Sequence, residues 1–299
     1  MSADVPHPAF EGYATESLPQ AAVGVPGKDG VLELRFAATG SGTALVHDYA
    51  TVPFHVSGTL GHDPHPGART VYVQSPTGGI AQGDRLDAEV HVGREAVAHV
   101  STGGSTKVQS MTRNYAAAET TLSVADGGHL DYVPEPTILH ADARYCQHVR
   151  LDVDADATAV VSDVVVPGRL ARDERFEFER YFSRLTANGP EGLLFEDTTH
   201  LVPAESDPTA PGVLGEFSVY GTTFVVAPGA STAGLSDRLH EAVADHEARC
   251  GATALPNDAG VVVRALGDRA ETVGEALHAA WDVARRELLG SRAPSGRRY

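Results

Sequence analysis

The chain has 299 residues, 40 acidic against 23 basic, and a net charge of −17. With Lys28 and Lys107 as its only lysines, it lacks the clustered cations that neutralising nucleic-acid phosphate demands, so a nucleic-acid partner is excluded. Scarce lysine, excess carboxylate and many small residues fit a salt-rich cytoplasm, where a Debye length of about 3 Å at molar salt screens self-repulsion.

Residues 1–28 are rich in Pro, Gly and Ala without periodicity, which predicts a mobile N-terminal arm. From Val31 the pattern turns β. Val31–Phe36, Thr70–Gln74, Leu86–Val92 and Ala96–Val100 read largely with period two. Further β-type runs follow at Thr120–Val124, at Gln147 with Val149, Leu151 and Val153, and at Ala159–Val166. The glycine pairs Gly78-Gly79, Gly103-Gly104 and Gly127-Gly128 punctuate them. Many short strands at such intervals predict a mostly β sandwich, barrel or β-solenoid over 29–214, although no strict repeat singles out the last.

After about residue 214 the pattern changes again. Glu216–Val226 is a strand candidate, Leu235–Arg249 a helix, and Gly260–Leu266 a strand. Ala270–Leu289 follows as a long helix whose Val273, Leu277, Ala280, Trp281, Ala284 and Leu288 form one apolar stripe. Residues 215–290 are therefore expected as a strand–helix–strand–helix part packed on the β body, followed by a basic tail (291–299) with Arg292, Arg297 and Arg298.

Cys146 and Cys250 lie far apart, which makes a reducing compartment the default. No basic-then-apolar leader and no run near the ~18 apolar residues of a membrane span occur, so a cytoplasmic protein without a membrane partner is expected. Enzyme signatures fail in turn. Gly103-Gly-Ser-Thr-Lys107 inverts the Lys-[Ser/Thr] order of a phosphate-binding loop and sits among β-type residues, so it reads as a turn. His240-Glu lacks a second histidine at i+4, and no nucleophile elbow is present. The His62-Asp-Pro-His65 cluster reads as a solvated loop, and His91 and His99 as surface residues.

Three stretches stand out: Gln74–Asp84, Ser101–Ser110 and Leu130–Arg144. Their Pro76, Gly78, Gly79, Ile80, Gly83 and Asp84, then Thr102, Thr106, Lys107 and Val108, then Leu130, Tyr132, Pro134, Thr137, Ile138, Leu139, Ala143 and Arg144 resemble the urease accessory protein UreD (UreH) family. Val166-Pro-Gly-Arg-Leu170 with Glu174-Arg-Phe176, and the segment Leu255–Arg264, extend the resemblance over about residues 30 to 290. It implies a β-helix-like stack of many strands with a small C-terminal α/β part containing two helices. It also implies a non-enzymatic scaffold that joins UreF and the GTPase UreG, docks on apo-urease subunits and helps deliver nickel, with a dimer formed through the UreF complex. No tightly bound cofactor is expected, only transient Ni2+.

Nickel in transit must be held weakly, which suits oxygen ligands better than thiolates. Asp84, Glu135, His140, Asp142 and Asp163 are therefore the candidates to line a wet passage, because they fall in or beside the family-like segments. A turn cap for Asp84 and a pairing of Asp142 with Arg144 are the competing structural roles. Gly78, Gly79, Gly83 and Gly103 read as backbone devices, with Thr106, Lys107, Pro134, Thr137 and Arg144 completing the structural motif. Partner contacts are expected from the C-terminal helices, at Trp281 and Arg285, and from Gly168 and Arg169. The runner-up is a β-rich carbohydrate-active or metal-dependent hydrolase using Glu135 and Asp142; aromatics at 6 % disfavour sugar stacking.

Overall fold

A computed structural model describes residues 5–18, 27–76 and 78–295. The strands in chain order are β1 (Asp29–Thr39), β2 (Gly42–Ala50), β3 (His55–Leu60), β4 (Ala68–Gln74), β5 (Arg85–Val92), β6 (Val97–Thr102), β7 (Thr106–Val108), β8 (Ala116–Val124) and β9 (His129–Tyr132). Next come β10 (Thr137–Leu139), β11 (Arg144–Val153), β12 (Thr158–Val166), β13 (Arg180–Gly189), β14 (Gly192–Leu201), β15 (Val219–Val226), β16 (Arg249–Ala254) and β17 (Gly260–Gly267). The helices are α1 (Glu11–Ala14), α2 (Leu235–Ala244) and α3 (Ala270–Leu289).

Among the described residues these strands form a seven-stranded sheet, β14-β13-β11-β8-β5-β1-β2, and a ten-stranded one containing β16-β17-β15-β12-β9-β6-β4-β3. The chain alternates between them. β5, β8, β11 and β13 run parallel in the first sheet, while β4, β6, β9 and β12 run parallel in the second. Ala68 pairs with Val97, Val97 with His129 and His129 with Thr158, so one coil advances the stack every thirty residues or roughly so. The architecture is mostly β, a solenoid-like stack, with antiparallel strands at both ends.

Period two explains the layering. In β5, Leu86, Ala88, Val90 and Val92 are buried while Asp87, Glu89 and His91 are exposed. Leu34, Phe36, Val90, Leu122 and Leu151 of the first sheet meet Val71, Val100, Leu130 and Val161 of the second in one core. Each such side chain contributes about 1.5–3 kcal/mol on burial. On the other face of the second sheet, Leu239 and Val243 of α2 and Val273, Leu277 and Ala284 of α3 pack with Val160, Val225 and Val263. The apolar stripe read from the sequence of α3 is core.

Several expectations change. Part of the N-terminal arm is packed: Phe10 is buried against Tyr115, Ala117, Cys146 and Phe182, and Tyr13 donates to Glu179 at 2.7 Å. Strands β2, β3, β7, β9, β10, β13, β14 and β16 are additional to the expected runs. The first helix of the C-terminal part stops at Ala244, and Arg249 already belongs to a strand. β15, β17 and β16 continue the second sheet rather than lying on it. Of the basic tail, Arg297 and Arg298 lie outside the described residues, as does Thr77 of the first motif.

Candidate functional site

The three motif stretches become neighbours through a short third ladder. Ile80 donates its N–H to the Lys107 carbonyl at 2.8 Å, and Gln109 N–H returns to the Ile80 carbonyl at 2.8 Å. Thr106 pairs with Thr137, and Thr137 with Val165, so Ile80, β7, β10 and β12 stack in order. Gly79 has φ +122, and a Cβ there would stand 2.2 Å from the Lys107 carbonyl oxygen. Only glycine tolerates both conditions, which is why the motif requires it.

Beside this ladder lies a partly open cavity of about 460 Å³ between the two sheets. Gly78, Gly79, Gly103, Thr106, Lys107 and Pro134 line one end, and Leu32, Val90, Val100 and Val149 give apolar walls. The polar lining includes Tyr132, Tyr145, Gln147, Tyr220 and Thr222 and three carboxylates, Glu119, Asp163 and Asp197. Asp163 accepts from Tyr181 Oη at 3.3 Å and from Gln147 Nε2 at 3.5 Å. Burial pushes its carboxyl up to about 6, against the pull of those hydrogen bonds. No cysteine or histidine is among the described lining residues, and no described group of three His, Cys, Asp or Glu side chains is arranged to hold a metal ion. The donor set is thus oxygen and amide, suited to a hydrated hard or borderline cation held loosely.

Of the five passage candidates, Asp163 alone is among the residues lining this cavity. Asp84 is fully buried and accepts from the N–H groups of Gly27 (3.1 Å), Lys28 (2.9 Å) and Ala81 (2.8 Å), so it closes the turn before β5. Glu135 is exposed in the β9–β10 turn, where its N–H donates to Thr102 Oγ1 at 2.9 Å. His140 is buried, and burial with Arg169 nearby lowers its pKa. Asp142 is exposed at φ +59, a left-handed position in the turn after β10. Its expected pairing with Arg144 is absent: Arg144 instead meets Glu179 at 2.6 Å and Glu16 at 3.1 Å, clamping the N-terminal segment to β11.

The partner-surface expectation also fails at three of its four residues. Gly168 is buried with φ +149, and a Cβ there would lie 2.2 Å from the Glu174 carbonyl. Trp281 and Arg285 are buried at 6 % and 0 % exposure. Arg169 is half-buried and pairs with Glu174 through Nε at 2.8 Å.

Arg285 belongs to a network that sequence reasoning missed. Its guanidinium spans Asp131 (2.7 Å) and Asp63 (2.6 Å), both with side chains almost wholly buried. Trp281 Nε1 donates to Asp131 at 2.6 Å, and His129 Nε2 lies 3.2 Å from the same carboxylate. Burial opposes ionisation of Asp131, but His129 and Arg285 outweigh it and hold the pKa at about 2. His99, expected on the surface, is 3 % exposed beside Trp281, and burial lowers its pKa to about 4. Asp63 corrects the solvated-loop reading of His62–His65. The one available signal was a charged residue four positions after Trp281, on the apolar stripe of α3.

Comparison with known proteins places this geometry. The family model described as UreD urease accessory protein matches residues 28–298. A urease accessory protein UreD of Haloarcula marismortui is 74% identical over 299 residues, covering all of both chains. That of Natronomonas pharaonis is 46% identical over 293 residues, 97% of this chain and 98% of the relative. That of Photorhabdus laumondii is 33% identical, covering 92% of this chain and 88% of the relative. The acidic, lysine-poor composition is in keeping with the first of these. With the family match spanning nearly the whole chain and the three motif stretches joined in one ladder beside the cavity, this chain belongs to the UreD urease accessory protein family.

Proposed function

We propose that this chain is a nickel-delivery scaffold: with UreF and the GTPase UreG it docks on apo-urease and aids nickel insertion and completion of the active site. It performs no bond chemistry of its own and works in the cytoplasm. The observation that carries the reading is the cavity between the sheets, whose lining includes the carboxylates Glu119, Asp163 and Asp197; Asp197 is paired with Arg264, whereas Asp163 meets only neutral tyrosine and amide groups.

Nickel is cargo here, so its binding must be reversible. A closed set of thiolates or imidazoles would retain the ion, whereas carboxylates with hydroxyl and amide neighbours leave water in most coordination positions. A carboxyl with its pKa near 6 can also exchange a proton for a passing cation near neutral pH. Asp84, Glu135, His140 and Asp142 support the fold or sit on outer turns, which narrows the passage role to Asp163. No observation favours the hydrolase reading, since Glu135 and Asp142 are exposed on separate turns.

The test is nickel-dependent rescue of urease activity in cells lacking this protein, with and without UreF, alongside co-purification with UreF and UreG. Rescue that needs UreF is expected. Urease that matures equally well without the chain would overturn the proposal.

A further inference from the structure

Among the described residues, three of the five large hydrophobic side chains left exposed fall in one short stretch: Val46 at 60%, Tyr49 at 50% and Val52 at 60%. They lie on and just after β2, the last strand of the seven-stranded sheet, beside β3, which ends the other sheet. Residues 46–50 are exposed on both faces of the strand. Pro53 and Phe54, which follow, line the cavity, so this edge adjoins the proposed passage.

The opposite end of the sandwich is tied shut. Asn257 donates to the Leu194 carbonyl at 2.7 Å, Arg264 pairs with Asp197, and Phe195 stacks on Phe224 at 5.5 Å between ring centroids. At the β2 end the sheets are bridged near the start of the strand, where Val97 N–H donates to Thr43 Oγ1 at 2.8 Å, while in its exposed half His47 pairs within its own sheet, with Glu33 at 3.0 Å.

The backbone of β2 can accept another strand. Thr51 N–H donates inward to the Val31 carbonyl at 2.8 Å. Alternation along an antiparallel pair then turns the N–H groups of Asp48 and Ala50 away from β1. The side chains around this edge have a definite charge. Glu33, Asp87 and Glu89 of β1 and β5, with Asp48 of β2, outnumber Arg35 as the neighbouring cation. A second copy of the chain would bring Asp48 and its acidic neighbours against themselves in a protein of net charge −17, so self-pairing is disfavoured.

We propose that β2 receives an extended segment of a partner protein as an added strand, with apolar side chains against Val46, Tyr49 and Val52, and with Lys or Arg toward Glu33 on one face of the sheet and toward Asp48 on the other. This rests on the accessory-complex reading above, since the partner is a member of that complex. Main-chain pairing gives affinity, and the apolar and acidic side chains give selectivity.

The test uses the full-length chain co-expressed with UreF, UreG and the urease subunits. Ala50→Pro removes an outward N–H while leaving the β1 ladder intact, Tyr49→Asp adds a repelling charge, and Leu193→Asp is a control at another exposed site. Capture of partners should fall about tenfold or more for the first two, and stay unchanged for the control, at equal melting temperature. If Ala50→Pro lowers the melting temperature, hydrogen exchange in the wild-type complex decides. The Asp48 and Ala50 amides should slow by about tenfold or more on complex formation. Unchanged capture by Tyr49→Asp with unprotected amides would overturn the proposal. A wild-type dimer in light scattering that Tyr49→Asp dissolves would overturn it too, by making the occupant a second copy. A wild-type chain that captures nothing would remove the accessory-complex reading, and this proposal with it.

Discussion

Asp131 and Asp163 sit on adjacent parallel strands, β9 and β12, yet the protein treats their charges oppositely. Asp131 faces α3 and is met by Arg285, Trp281 and His129, so its carboxyl is held near 2. Asp163 faces the cavity, meets a tyrosine and an amide at long distances, and is pushed up to about 6. The first is a charge neutralised for structure. The second is a carboxyl that burial holds back from ionising, with no cation among the groups that shift it.

The largest effect should come from breaking the satisfied side. Arg285→Ala strands Asp63 and Asp131 without their cation and should cost about 3–5 kcal/mol in urea denaturation. A loss below about 1 kcal/mol would mean the network is not what anchors α3. Asp84 is also a buried carboxylate, but one satisfied by backbone amides instead of side chains. Asp84→Ala leaves three donors without an acceptor, and a cost of about 2–3 kcal/mol is expected from the same measurement.

Asp163→Asn should do the reverse. A carboxyl whose folded pKa is raised contributes stability below the ordinary carboxylate range and loses it as pH rises through about 6. The substitution should therefore raise stability by on the order of 1–2 kcal/mol at about pH 8, after allowance for water in the cavity, with the gain vanishing near pH 4. Thermal melts across that range check it; a gain that persists in acid would contradict the assignment. Asp131 has the opposite sign. Its contribution is complete above the usual carboxylate pKa and is lost as pH falls through about 2. Smallest of all, exposed Glu135→Gln should change stability by less than about 0.5 kcal/mol.

How much of this was legible depends on whether a residue's role is local. β5 announces itself because its buried Leu86, Ala88, Val90 and Val92 alternate with exposed polar residues. The stripe on α3 is equally clear, and the glycine at position 79 marks a close approach that its motif already suggested. Edge strand β2 was missed because residues 46–50 are exposed on both faces, so no period separates inside from outside. The overrun of α2 has a similar source: Leu235, Leu239 and Val243 keep helical spacing, and buried Ala248 continues an apolar pattern into the connection. Asp163 could be singled out within an apolar run, but nothing in that run says that it faces a cavity while Asp84 faces amides. The network of Asp63, His129, Asp131 and Arg285 has no sequence spacing at all. It exists because α3 returns across strands formed some 150 positions earlier.

The most direct measurement of the passage reading is urease activation against nickel concentration in cells whose own copy is replaced by Asp163→Asn. With the variant folded and captured by its partners as well as wild type, activation should fail at limiting nickel and recover when nickel is raised. Full activation at limiting nickel would contradict the assignment of the cavity as the ion's route.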